Sequence, residues 1–218
     1  MSYPVLILGE SGAGKSSSLR NLDPIQCLLL QVLPKPLPFP SQGWEKFQNS
    51  SGSIFQTDNP ETIQKGIESA ARLGRDIVIV DDFQYLMANE FMRRSSEKGF
   101  DKFTEIGRKA WDTIQTAINL PEPIRVYFLW HVETSQEGKL KAKTIGKMLD
   151  EKVTIEGMFS IVLRSFIDPE NRAYRFATQS NGFDPVKTPW GMFQESTIEN
   201  DLSIVERSIT SFYGIRND

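Results

Sequence analysis

Apolar residues in this chain occur in two patterns. Short unbroken runs, Val5-Leu6-Ile7-Leu8, Cys27-Leu28-Leu29-Leu30 and Ile77-Val78-Ile79-Val80, are bounded by polar or turn-forming residues and read as strands buried on both faces. Elsewhere apolar residues recur every three or four positions. Ile63, Ile67, Ala70 and Ala71 form the stripe of a helix predicted over 60–73; ahead of it, Asp58-Asn59-Pro60-Glu61 supplies a cap, a first-turn proline and an acid. Phe103, Ile106, Ala110, Ile114 and Ala117 mark a second helix over 101–119, which Pro121 and Pro123 end. Ser196-Thr197-Ile198-Glu199 has the form of a capping box and predicts a last helix with Ile198, Leu202, Val205, Ile209 and Phe212 on one face. With so few heptads, that face is expected to pack on the chain's own sheet rather than on a second copy.

Further strands are predicted at 26–31, 53–56, 125–130, 159–166 and 174–177, the last two joined through the turn Asp168-Pro169-Glu170-Asn171. Strands that alternate with helices predict an α/β fold: a mostly parallel sheet with helices on both faces and a C-terminal β-hairpin plus helix. Pro34, Pro36, Pro38 and Pro40 impose an extended surface excursion after the second strand, over a ligand or a partner. Residues 83–100 are mixed, 182–193 read as a loop, and no repeat, low-complexity tract or linker interrupts the chain.

With 218 residues and 39% apolar content the chain fits one domain over its whole length. The first strand starts close to Met1, no signal or transit peptide is expected ahead of it, and no run approaches membrane-spanning length, so a cytoplasmic protein is expected. The single cysteine, Cys27, forms no internal disulfide and is expected to be a buried apolar side chain; the single histidine is His131. A net charge of −3 does not mark a nucleic-acid binder, so any such contact needs a local patch.

The run at 5–8 leads straight into Gly9-Glu10-Ser11-Gly12-Ala13-Gly14-Lys15-Ser16, followed by Ser17. This is G-x-x-x-x-G-K-[ST] between a strand and a short helix, a turn whose backbone N–H groups face inward and cradle phosphate. Residues Gly9 to Ser17 are therefore the candidate nucleoside triphosphate site, with Lys15 on the β- and γ-phosphates and Ser16 on Mg²⁺ brought by the nucleotide. The strand at 77–80 ends in Asp81-Asp82, which suits Asp81 to the Mg²⁺ shell and Asp82 to the attacking water. His131 ends the strand at 125–130, either as a sensor of the γ-phosphate or as a histidine satisfied by local backbone. The following segment holds Lys139, Lys141, Lys143 and Lys147 without an acid after Glu137, and is either a contact for a phosphate backbone or a solvated charge run.

In this order, the stretches 9–16, 77–84, 143–149 and 187–193 resemble a RecA-type P-loop ATPase core, and most closely the compact phage-encoded RecA-like ATPases that act in single-strand annealing and recombination. The strand at 53–56, interposed between the two nucleotide motifs, points to the branch of P-loop proteins with an additional strand rather than to small-molecule kinases. The resemblance implies ATP hydrolysis coupled to single-stranded DNA, with Arg93, Arg94 and the lysines of 137–147 on the DNA side. It leaves a homo-oligomer and a single-strand DNA-binding protein open as further partners, and Arg172, Arg175 and Lys187 as cations a neighbouring subunit could present. A nucleotide switch or assembly factor acting on protein partners is the alternative; a P-loop kinase lacks an acceptor-binding signature here. The chain departs from the RecA pattern twice. Gln31-Val32-Leu33 offers no glutamate at the end of the second strand, which leaves Asp82 as the candidate base with slow turnover expected, and no extension of the kind that joins RecA subunits is expected before the first strand.

Overall fold

A computed structural model describes residues 1–48 and 51–215. In chain order, β1 (Tyr3–Gly9) is followed by a short 3-10 helix (Ser16–Asn21), β2 (Cys27–Gln31) and β3 (Ile54–Gln56). Next come α1 (Pro60–Ser69), β4 (Ile77–Asp81), α2 (Gln84–Arg93), α3 (Asp101–Ile118) and the long strand β5 (Arg125–Thr134). The chain closes with β6 (Leu140–Ala142), β7 (Ile161–Ile167), β8 (Tyr174–Ala177), β9 (Thr197–Glu199) and α4 (Leu202–Tyr213). The sheet runs β3-β2-β4-β5-β1-β7-β8-β9, with β6 attached to the end of β5. From β3 to β7 every neighbour is parallel, and β8 and β9 add antiparallel strands at the far edge.

Burial on both faces explains the unbroken apolar runs. Leu6, Leu8, Val78, Val80, Val126 and Phe128 enter one core with Ile63 and Ile67 of α1, Leu86 of α2 and Ile106, Ala110 and Ile114 of α3. Val5, Ile7, Ile77, Ile79, Tyr127 and Leu129 enter the opposite core with Leu202, Val205 and Ile209 of α4. Successive strand residues point to opposite faces, so each run feeds two cores. Cys27 is buried in the second of these, and burial pushes its thiol pKa well up, which suits an inert apolar side chain. Among the described residues no helix is long and apolar enough to cross a membrane.

Two expectations are corrected. α1 stops at Ser69 and a 3-10 turn (Ala71–Leu73) follows, which leaves Ala71 exposed instead of in the stripe. Residues 197–199 are not a helix start: they pair with β8 as Ala177↔Thr197 and Arg175↔Glu199. The free edge of β8 claims those backbone groups, and the helix begins after Asp201, whose Oδ1 accepts from the Ser203 N–H at 2.8 Å. Ile198 consequently sits on a strand and Phe212 is exposed. The strand expected at 53–56 is present as β3, at the outer edge beside β2, and the strand between β1 and β4 in the sheet is β5.

At the amino ends of the strands, Arg125 pairs with Glu206 of α4 (Nε to Oε2, 2.9 Å), and the Tyr127 hydroxyl also donates to Glu206. Burial raises the Glu206 pKa against the pull of Arg125, and burial also raises that of Tyr127. Removing one member of such a pair strands the other in the core. Glu206→Ala should therefore destabilise the fold by about 3–5 kcal/mol in urea unfolding. A loss below about 1 kcal/mol, the range of exposed pairs, would show that the pair is solvated.

Candidate functional site

Parallel register lines up the carboxyl ends of the central strands: Gln31 stands beside Asp81, and Gly9 beside His131. The chain leaves β1 through a turn with Gly12 and Gly14 in the left-handed region, at φ 78° and 94°. A side chain at Gly14 would also meet the Tyr174 ring at 2.8 Å, and one at Gly9 would meet the Ser165 carbonyl at 2.8 Å. The underside of the turn is clamped by a relay: Asn200 Nδ2 donates to Ser165 Oγ (2.8 Å), which donates to the Ala13 carbonyl (2.6 Å).

Lys15 is buried and turns back on the turn itself, donating to the Gly9 and Glu10 carbonyls at 2.8 Å each. Desolvation lowers its pKa to about 8 despite the opposing pull of Asp82 and Asp81. Ser16 Oγ lies 3.0 and 3.1 Å from the two carboxylate oxygens of Asp81. Burial, followed by the charge of Asp82, pushes the Asp81 pKa up to about 6. Asp82 makes the turn from β4 towards α2 with φ 59°, a conformation that costs most residues about 1–2 kcal/mol and that aspartate tolerates better. Its Oδ1 lies 3.3 Å from His131 Nε2, and its other oxygen forms an ion pair with Lys35. Burial alone would raise the Asp82 pKa, but His131 and Lys35 together hold it below the usual carboxylate value.

These groups share a cleft of about 330 Å³ lined by Gly12, Gly14, Lys15, Ser16, Ser17, Asp81, Asp82 and His131, with Lys35 to Pro38 and Tyr174 at its margin. The proline excursion thus stands over the glycine turn. Glu10 and Ser11 are exposed, and Ser11 faces both this cleft and a second cavity on the other side of the turn. Lys35, absent from the expected site, is the residue that sequence reasoning missed; a lysine bracketed by Pro34 and Pro36 just after a strand end is the signal that could have found it.

A serine hydroxyl and a buried carboxylate at contact distance are hard oxygen donors of the kind Mg²⁺ takes, so Ser16 and Asp81 fit that ion. Among the described residues no group of three or more His, Cys, Asp or Glu could hold a metal alone, which leaves the other positions of such an ion to phosphate oxygens and water.

The expected DNA-side residues lie elsewhere. Arg93, at the end of α2, pairs with Asp58 (2.7 Å) and Glu90 (3.1 Å), and Arg94 pairs with Glu97 (2.8 Å) and Glu105 (2.7 Å). The segment expected as a loop is partly a hairpin: β6 pairs with the end of β5, Lys141 stands opposite Glu133, and Lys139 sits at the turn. Lys143 and Lys147 are exposed, and the Lys143 N–H donates to the His131 carbonyl at 2.9 Å, joining the hairpin to the cleft. Arg172 and Lys187 are exposed and Arg175 is half-buried on β8; none of them lines the cleft.

A scan of the sequence against protein-family models found no match, and a search of curated proteins found none.

The glycines of the turn give a test of this geometry. Gly12 has open space around its missing side chain, so Gly12→Ala should cost about 1–2 kcal/mol, from backbone conformation alone. Gly14→Ala should cost more, and Tyr174→Ala should recover only the excess. Thermal unfolding of the single and double variants measures both parts. Equal costs at both glycines would mean that the tyrosine ring does not press on the turn.

Proposed function

We propose that this chain is a Mg²⁺-dependent ATPase with a RecA-like P-loop core, which works with single-stranded DNA in annealing or recombination. The observation that carries the reading is the Ser16 hydroxyl held against the Asp81 carboxylate, beside the buried Lys15, at the mouth of a glycine turn. Two residues far apart in sequence meet where a phosphate-bound cation belongs. The placement of β5 between β1 and β4 supports the RecA-like reading.

In this reading Lys15 exchanges its two backbone carbonyls for phosphate oxygens and offsets charge that develops on them. Ser16 and Asp81 hold Mg²⁺, which supplies charge neutralisation when bound. Asp82 orients the water and takes its proton; a carboxylate held below its ordinary pKa is a weak base, so turnover is slow. His131 touches Asp82 through its ring and the basic hairpin through its carbonyl. A shift at the strand end therefore reaches Lys143 directly, and the hairpin lysines then meet the phosphates of a single strand. An assembly or switch role with a protein partner has one observation of its own: Trp190 is 98% exposed at the tip of a turn closed by Met192 N–H on the Pro189 carbonyl.

ATP turnover with and without single-stranded DNA separates the two, since a protein-partnered switch turns over independently of DNA. Lys15→Ala should abolish hydrolysis in a folded protein, and unchanged turnover would sink the ATPase reading. Asp82→Asn should bind nucleotide and hydrolyse it slowly, whereas Asp81→Asn should weaken Mg²⁺-dependent binding. Each phosphate neutralised adds ~0.7 to the slope of log affinity against log salt, so Lys139, Lys141 and Lys143 changed together to Gln should flatten that slope by up to about 2. An unchanged slope would leave the hairpin as a solvated charge run.

A further inference from the structure

In the chemistry above Lys35 enters only through its hold on Asp82, yet it lines the cleft itself. Its backbone carbonyl accepts from Gln31 Nε2 at 3.1 Å, and Gln31 Oε1 accepts from Gln56 Nε2 at 3.1 Å. Gln31 and Gln56 end adjacent parallel strands, so the excursion is pinned to the sheet edge at this residue. Pro34 and Pro36 fix φ on either side of it. The loop therefore delivers an ammonium group at a defined place, on a four-carbon stem that remains free to turn.

The ammonium rests on Asp82, whose side chain is 4% exposed against 47% for Lys35. One Asp82 oxygen meets this ammonium and the other faces His131. The half-exposed ammonium can turn within the cleft, where a more highly charged anion outcompetes one carboxylate.

We propose that Lys35 is a second phosphate-binding lysine supplied in cis, which leaves Asp82 for the γ-phosphate when a nucleoside triphosphate enters and so frees Asp82 Oδ2 to act as base. The proposal rests on the ATPase reading. The water oxygen bonds to the γ-phosphorus as the bond to the β,γ-bridging oxygen breaks; the electron pair leaves with ADP, and the water proton passes to Asp82 Oδ2. Lys35 stabilises the charge gathered on the γ-phosphoryl oxygens. With this cation in cis, the reaction would not require one from a neighbouring copy.

The test compares Lys35→Gln, Lys35→Arg and the unaltered chain in steady-state hydrolysis, and in binding Mg·ADP with and without aluminium fluoride, a mimic of the transferring phosphoryl group. Lys35→Gln should lower kcat by about 100-fold or more while ADP affinity holds, since removing one preorganised donor costs that much. Its preference for the fluoride complex over ADP should fall in parallel, and Lys35→Arg should restore most of both. Equal kcat and equal fluoride preference in Lys35→Gln, in a chain that does bind the fluoride complex, would overturn this proposal alone. Faster turnover in Lys35→Gln would overturn it too, by making Lys35 a brake on Asp82. Failure of the unaltered chain to bind either nucleotide form would overturn the ATPase reading and the proposal with it.

Discussion

The parallel register of β2, β4, β5 and β1 is the constraint on which the cleft depends. Side chains on both faces of these strands are buried, so a one-residue slip would exchange the two cores and turn every side chain to the wrong helix layer. The same slip would shift Asp81 or His131 by about 3.3 Å along its strand and part them from the glycine turn. Each fully buried Leu, Ile or Val contributes roughly 1.5–3 kcal/mol, and that apolar energy holds the polar groups at the strand ends in place. The site needs no rigidity of its own beyond the Asn200–Ser165–Ala13 clamp under the turn.

Within that frame the cleft is electrostatically closed on itself. Lys15 is satisfied by carbonyls, Ser16 by Asp81, and Asp82 by Lys35 and His131. Desolvation opposes every charge there: it lowers the Lys15 pKa and raises that of Asp81. A phosphate group that replaces these internal partners relieves Lys15 of a poor environment, and a cation does the same for Asp81. In the ATPase reading proposed above, binding and re-pairing are thus one event, and the direction of both shifts favours it.

Much of this was legible in the sequence because it is local. The unbroken apolar runs, the glycine spacing and the Asp81-Asp82 strand end each report a structure within a few residues, and one cleft gathers Ser11, Gly12, Gly14 to Ser17, Asp81, Asp82 and His131. What escaped was set by pairing across the sheet. Ser196 to Glu199 carries a sound capping-box pattern, but the open edge of β8 takes Thr197 to Glu199 as a strand, and Asp201 caps the helix instead. The strand at 53–56 follows the first motif in sequence yet goes to the sheet edge, while β5, much later in the chain, fills the place between β1 and β4. Arg93 and Arg94, expected on the DNA side, are engaged by acids: Glu90 and Glu97 are local partners, while Asp58 before α1 and Glu105 of α3 reach them only through the fold. Lys35 carries only a faint local signal, the flanking Pro34 and Pro36 just after a strand end, and its partner Asp82 is supplied by the fold.

Gln31 ties these points together. Its position is where the RecA pattern would place a catalytic glutamate, and a carboxylate there could accept hydrogen bonds but donate none. The amide does both, accepting from Gln56 and donating to the Lys35 carbonyl. A glutamate would lose the tether to Lys35 and place a third carboxylate beside Asp81 and Asp82, where burial and then the charge of Asp82 already raise the Asp81 pKa. In the ATPase reading proposed above, the glutamine therefore suits a cleft whose base is Asp82, one strand over, and whose second strand anchors a cation instead of supplying an anion. The left-handed backbone of Asp82 fits the same exchange, since it turns that carboxylate towards His131 and Lys35 at the β4-to-α2 elbow.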